Sequence, residues 1–160
     1  MTMVKRRLFP LFFRLFSPAI LLILLGMGQP VMADLDISVQ RGDYEIFYSA
    51  FNTSFISPDV ARAAGITRGK NKGLVNISVV RYEGGERIPV EVAAIEGEAW
   101  DLIYRNALDF KPIVEPGAVY YLAPFKITND NEFIQFSIQV QPEGLGETVD
   151  IKFKRNFYLD

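Results

Sequence analysis

The sequence predicts an all-β fold, an antiparallel immunoglobulin-like β-sandwich of about seven strands with one short connector helix. Two observations lead to this prediction. Segments of alternating apolar and polar residues recur along the chain and are separated by turns rich in Gly, Pro, Asn and Asp. Helical periodicity is nearly absent, which argues against a parallel α/β fold. A small closed β-barrel is the alternative architecture.

The predicted strands follow one another closely. The first begins at Asp43 and has apolar residues on both faces, which indicates a central place in a sheet. Residues 74–81 form the second strand, and a glycine-rich hairpin turn at 83–86 leads to a third that ends at Trp100. A slip in the alternation near 93–95 predicts a bulge. Residues 101–107 are predicted to be irregular, and the later strands cover 108–114, 119–127, 133–140 and 149–159.

One short helix is predicted over residues 57–65. Ser57 is a suitable N-cap, and Pro58 occupies the first helical position, where its missing N–H group is not needed. Gly65 supplies a natural stop. The helix is about two turns long, so we expect a connector rather than a packing layer.

The first 33 residues read as a secretory signal peptide. Lys5, Arg6, Arg7 and Arg14 precede a mostly apolar stretch that is followed by short side chains at Val31 and Ala33, the −3 and −1 positions of a cleavage site. We therefore expect cleavage after Ala33 and a single periplasmic domain from residue 34 to 160. The alternative is an uncleaved N-terminal membrane anchor.

Removal of the signal makes the domain acidic. Of 17 Lys and Arg in the chain, four lie in the signal, which leaves 13 against 19 Asp and Glu, a net charge of −6. This balance argues against a nucleic-acid partner and predicts membrane contact only through the signal before cleavage. The chain has no Cys and no His, which excludes Cys–His and Ser–His–Asp catalysis and ordinary zinc, copper or haem ligation.

Two acidic groups have residue types that could support chemistry. Glu96, Glu98 and Asp101 lie near Trp100, and a pair of carboxylates can act as acid and base on a glycan. Solvated charge at the end of a strand is the simpler interpretation. Residues 129–132 carry oxygen ligands that calcium uses, but their spacing is that of a turn rather than an EF-hand loop. We predict no catalytic residue, no metal and no cofactor.

A basic loop stands out against the acidic domain. Arg68, Lys70 and Lys72 lie within five residues, so they form either a docking point for an envelope protein or anionic ligand, or a solvated loop. Loops at the end of a sandwich commonly carry binding sites. The predicted partner-binding residues are Asn52, Thr53, Ser54, Thr67, Arg68, Lys70, Lys72 and Asn76.

Several blocks of the sequence resemble a known family. Residues 48–61, 65–68 and 72–79, with the later 119–123 and 157–158, are similar to the bacterial domain of unknown function 4426. Pro124 departs from the expected strand pattern and predicts an edge or a bulge. The resemblance implies a small exported protein of Gram-negative bacteria without an assigned activity. We expect a non-enzymatic binding or accessory module of the cell envelope, the alternative being a carboxylate-dependent hydrolase of envelope glycans.

Overall fold

The computed structural model describes residues 37–159, so the predicted signal peptide lies outside the described residues. Ten strands are present in this range, with one 3-10 turn (Thr53–Phe55) and one short helix, α1 (Pro58–Ala63). The strands are β1 (Ser38–Arg41), β2 (Tyr44–Asn52), β3 (Lys72–Glu83), β4 (Glu86–Pro89), β5 (Val92–Trp100), β6 (Arg105–Ala107), β7 (Lys111–Glu115), β8 (Ala118–Lys126), β9 (Glu132–Pro142) and β10 (Val149–Phe157).

The strands form two antiparallel sheets. Sheet A has the order β1-β2-β3-β8-β7, and β4 pairs with β3 beyond the stretch that pairs with β8. Sheet B has the order β10-β9-β5-β6. The mostly β, sandwich-like prediction is confirmed. The closed-barrel alternative is wrong, because within residues 37–159 the strands divide into two sheets that each keep their edge strands.

The strand count of about seven is too low, and the three missed strands are all short. β1 precedes the predicted start at Asp43, and β6 lies in the segment 101–107, which the sequence predicts to be irregular. The third predicted strand is two strands in different sheets, β4 and β5, separated by Val90 and Glu91. Strands of three or four residues show too few alternations to be recognised.

The core lies between the inward faces of the two sheets. Tyr44, Ile46, Tyr48 and Ala50 of β2 are buried, as their alternation predicts. The inward residues of β9 are buried too, and they belong to the same apolar cluster. Four phenylalanines fill one part of it: Phe125, Phe136, Phe153 and Phe157. The centroids of contacting rings lie 4.7–6.2 Å apart in stacked and edge-on pairs, which add to the free energy gained from burial.

Several local predictions are confirmed. The Ser57 side chain accepts a hydrogen bond from the backbone N–H of Val60 at 3.3 Å, as an N-cap does. The pairing of β5 with β9 shifts between residues 92 and 94, where the sequence predicts a bulge. Pro124 lies two residues beyond Leu122, the last residue of β8 that pairs with β7, so β8 is an edge there.

The two ends of the sandwich have different connections. At the loop end, β2, β5, β8 and β10 finish while β3 and β9 begin, and a hydrogen bond of 2.6 Å from Asn52 Nδ2 to the Tyr158 carbonyl joins the two sheets. At the hairpin end, two-residue turns join β1 to β2, β3 to β4 and β7 to β8, and a six-residue connection joins β9 to β10. The described part of the chain contains no helix with the length and apolar character that a membrane crossing requires.

Candidate functional site

Thr53 is a structural element of the loop end. Its side chain is fully buried, and its Oγ1 accepts a hydrogen bond from the Gly69 N–H at 3.0 Å. The same hydroxyl donates to the Lys72 carbonyl at 3.1 Å. The hydroxyl therefore ties the basic loop to the end of β2, and it has no surface to offer to a partner.

Arg68 fastens the same loop from outside. Its guanidinium donates to the Ser54 carbonyl at 2.9 Å and to the Thr53 carbonyl at 3.4 Å. A charged donor on backbone carbonyls makes a stronger bond than a neutral one does. Arg68 therefore holds the loop against the 3-10 turn while its side chain remains exposed.

The eight predicted binding residues divide into two groups. Seven of them lie in the 3-10 turn, the basic loop and the adjoining strand ends, all at the loop end. Asn76 lies further along β3, between Ser49 and Leu122, on the outer face of sheet A. Its Oδ1 atom is buried without a hydrogen-bond donor among the described residues. A buried acceptor of this kind is costly unless a donor reaches it.

A groove of about 660 Å³ lies beside the basic loop, on the outer side of sheet A. It runs between the segment after α1 and strands β7 and β8. Its apolar lining comes from side chains of β3, β7 and β8 and from Ile66. Of the predicted binding residues, Thr67 and Lys72 line it. The full lining is Ala64, Gly65, Ile66, Thr67, Asn71, Lys72, Leu74, Lys111, Ile113, Leu122, Pro124, Phe125 and Lys126.

Three lysines and no carboxylate line this groove. Lys72 and Lys126 lie directly opposite each other on the paired strands β3 and β8. Two like charges in this position lower the free energy of unfolding by about a few tenths of a kcal/mol or more. Neither takes part in an ion pair among the described residues. Lys111 contacts Asp109 only at 3.8 Å, on the exposed surface. In an acidic domain, this groove therefore combines three lysines with an apolar floor.

Of these three lysines, the sequence predicted only Lys72 as a binding residue. Lys111 and Lys126 are isolated in the sequence and become neighbours of the basic loop only through the pairing of β3, β8 and β7. The anomalous Pro124 was the one signal for this region, and it does line the groove. Lys70 is exposed and does not line it.

The carboxylates near Trp100 do not share a cleft. Glu96 and Glu98 lie opposite Gln139 and Ser137 of β9, on the outer face of sheet B. Glu98 forms an ion pair with Arg105, whose guanidinium lies 4.5 Å from the centroid of the Trp100 ring. These contacts place the two glutamates on an open sheet surface.

Asp101 shapes the hairpin between β5 and β6. Its Oδ1 accepts hydrogen bonds from the backbone N–H groups of Ile103 and Tyr104, each at 2.6 Å. The N–H groups of Tyr104 and Ile103 lower the pKa of Asp101 below its ordinary value, because they favour the ionised form. Asp101 therefore acts as a turn residue.

The acidic turn after β8 is held by its own donors. The buried Glu132 accepts from the N–H groups of Thr128 at 2.8 Å and Asn129 at 3.2 Å, and Asp130 accepts from the N–H of Leu159 at 2.9 Å. Asn131 has a left-handed φ of 54°, which suits a turn. The predicted turn is confirmed, and no group of acidic residues in the described chain is arranged to hold a metal ion.

The fold and the site define a class: a mostly β, two-sheet domain with a lysine-lined groove on the outer side of one sheet. Residues 38–160 match the family model described as Domain of unknown function (DUF4426), and the chain belongs to that family. It is similar to a DUF4426 family protein (PA0388) from Pseudomonas aeruginosa PAO1, known from a crystal structure. The identity is 34%, the TM-score is 0.64, and the match covers 77% of this chain and 94% of the other. No curated protein matches.

Proposed function

We propose that the protein is a non-enzymatic binding or accessory module of the bacterial cell envelope, exported to the periplasm, and that the groove is its binding site. The observation that carries this proposal is the facing pair Lys72 and Lys126, which has no carboxylate in the groove lining. An uncompensated pair of like charges disfavours the folded domain, and a bound anion removes that cost.

The groove favours a particular class of ligand. The side chains of Leu74, Ile113 and Leu122 form an apolar floor, and the three lysines of the lining lie around this floor. A volume of about 660 Å³ is in the range of small-molecule sites. The ligand class is therefore an anion with an apolar part, such as an acyl carboxylate or the acidic, apolar segment of an envelope protein. An immunoglobulin-like scaffold is suited to this role, since sandwiches often present binding loops.

Titration with an acyl anion tests the proposal. The exported protein, isotopically labelled and purified from a bacterial host, is titrated with dodecanoate below its micelle concentration and followed by NMR. We expect saturable shifts at the amides of Leu74, Ile113 and Leu122. The double variant Lys72→Ala/Lys126→Ala should bind about tenfold more weakly, because charge-assisted bonds to the carboxylate are lost.

The matched control removes two positive charges elsewhere. Arg41 and Lys152 are exposed and lie outside the groove. The variant Arg41→Ala/Lys152→Ala should bind like the original protein. Equal weakening in both double variants, or shifts spread evenly over the domain, would show that the anion meets only the general surface and would contradict the proposal.

No observation specifically supports the alternative function, a glycan hydrolase. A hydrolase of this class needs two carboxyls that line one cleft. Glu98 is paired with Arg105, and the carboxylates of Glu96 and Glu98 both belong to an open sheet face. The binding module is therefore the function that the geometry favours.

A further inference from the structure

Apolar side chains are exposed mainly at the loop end. Seven of the ten large apolar side chains that are exposed in residues 37–159 belong to connections or strand ends there. A soluble domain rarely gathers so many at one place without a binding role. They are Phe55, Leu102, Ile103, Tyr104, Phe133, Tyr158 and Leu159.

The hairpin between β5 and β6 is the most prominent part of this surface. Leu102 is 100% exposed, Ile103 77% and Tyr104 57%. The turn is fixed by polar contacts alone: Asp101 Oδ1 accepts two backbone N–H groups, and the Asp101 N–H donates to the Tyr104 carbonyl at 3.0 Å. The turn therefore presents three consecutive apolar side chains that are largely exposed.

Charged side chains of both signs surround this hairpin. Arg105 follows it, lies over the Trp100 ring and forms an ion pair with Glu98. Lys154 lines the depression between the hairpin and Phe133, together with Asp101 and Glu132. The carboxylates nearest to the hairpin, Asp101 and Glu132, accept hydrogen bonds from backbone N–H groups. Other basic side chains of the loop end include Arg68, Lys70, Lys72, Lys126 and Arg155.

We propose that the loop end docks on an anionic phospholipid bilayer, with Leu102 and Ile103 inserted among the acyl chains. Tyr104 and Phe133 would lie at the level of the headgroups, where aromatic rings are favoured, and Lys154 would face the lipid phosphates. A protruding apolar tip suits a fluid layer, because the bilayer closes around it without a preformed cavity. The apolar hairpin belongs to sheet B and does not line the lysine-lined groove of sheet A, so the inference goes beyond the proposed function.

The two ends of the domain differ in charge. The net charge of the mature domain predicts no attraction to an anionic membrane, but this value averages over the two ends. The hairpin end carries the acidic residues Asp43, Glu83, Glu86, Glu91, Glu115, Glu143 and Glu147 against the basic Arg41, Arg81 and Arg87. With this separation of charge, an anionic surface attracts the loop end and repels the hairpin end.

A fluorescent label at a single position tests the orientation directly. The chain has no cysteine, so Leu102→Cys gives one attachment point for the environment-sensitive dye NBD. Val114→Cys is the matched control, because Val114 is 72% exposed but lies near the hairpin end. The exported protein is mixed with vesicles of phosphatidylethanolamine and phosphatidylglycerol. A position-specific label reports which end meets the bilayer, whether or not the N-terminal segment is retained.

We expect a blue shift at position 102, quenched by lipids with a spin label in the acyl chain, and none at position 114. In the protein labelled at 102, Ile103→Ser should weaken vesicle binding about tenfold. Lys154→Gln should weaken it roughly 5-fold. A water-like spectrum at 102, an equal shift at both positions, or equal binding to vesicles of phosphatidylcholine alone would overturn the proposal.

Discussion

The two ends of the sandwich are built from the same kind of element, the strand connection, but they differ in what they leave exposed. Most strand connections at the hairpin end are two-residue turns with acidic side chains, and their glycines take positive φ angles, such as 59° at Gly84 and 89° at Gly85. The loop end uses longer connections that are pinned by buried polar bonds, as at Thr53, and that leave apolar and basic side chains exposed. A turn that only reverses the chain needs no such support, so the difference points to the loop end as the binding end.

The largest effect should come from the packing beneath the loop end. A Cβ atom at Gly73 would lie 2.1 Å from Cζ of Phe125, whose ring packs edge-on against Phe136 and Phe157. Gly73→Ala should lower the free energy of unfolding by about 3 kcal/mol, because the core must be overpacked or rearranged. Urea denaturation measures the change.

The matched glycine at the other end is Gly42. It has a φ of +56°, and a Cβ atom added there would meet no other atom within 4 Å, so only backbone strain opposes a side chain. Gly42→Ala should cost about 1 kcal/mol. An equal loss in the two variants would contradict the view that close packing supports the loop end in particular.

The next effect concerns the bond that pins the basic loop. Thr53→Val keeps the shape but removes the hydroxyl that bridges Gly69 and Lys72, so it should cost about 2 kcal/mol. The Gly69 amide should also exchange its hydrogen faster. Thr67→Val, at an exposed position of the same loop, is the control and should change stability by less than about 0.5 kcal/mol. Similar losses from both would show that the loop is not held through Thr53.

The turn at residues 101–104, between β5 and β6 at the loop end, should respond to acid. The pKa of Asp101 is lowered by the N–H groups of Tyr104 and Ile103, so the turn is favoured above the ordinary pKa of an aspartate and loses this support as the pH falls through the lowered value. Amide exchange and NMR shifts of Ile103 and Tyr104 should report a loosening at acid pH. Asp101→Asn keeps an acceptor and should remove the pH dependence, whereas persistence of the transition in that variant would assign it to another group.

The smallest effect tests whether the groove lysines oppose stability. Lys126→Glu places an opposite charge across from Lys72 and should raise the free energy of unfolding by about 0.5 kcal/mol, while binding of dodecanoate is lost. Lys152→Glu changes the charge equally but faces Ser137, so it should leave dodecanoate binding unchanged. A loss of stability in Lys126→Glu would mean that the facing lysines are not in conflict.

Much of the fold was predictable because alternation and turn chemistry are local. The buried faces of β2 and β9, the helix cap at Ser57 and the bulge in β5 each leave a pattern within a few residues. The division between β4 and β5 was not predictable, because the chain changes sheets at Val90 and Glu91 without a break in the apolar pattern.

The candidate site was only partly predictable, for a related reason. Arg68, Lys70 and Lys72 formed a visible cluster, but Lys111 and Lys126 join the groove through strand pairing. The exposure of Leu102 and Ile103 could not be predicted from the sequence either. Their apolar character suggests core positions, and only the hydrogen bonds of Asp101 show that the turn holds both side chains outward.

Hydrogen exchange in the presence of envelope membranes tests most directly whether the loop end is the binding end. The protein is measured alone and with membrane vesicles prepared from a bacterial envelope, which offer both lipids and envelope proteins. We predict that protection appears at residues 67–72 and 101–104 and that the turns at 83–86 and 115–118 are unchanged. Protection confined to the hairpin end, or spread equally over both ends, would contradict the account.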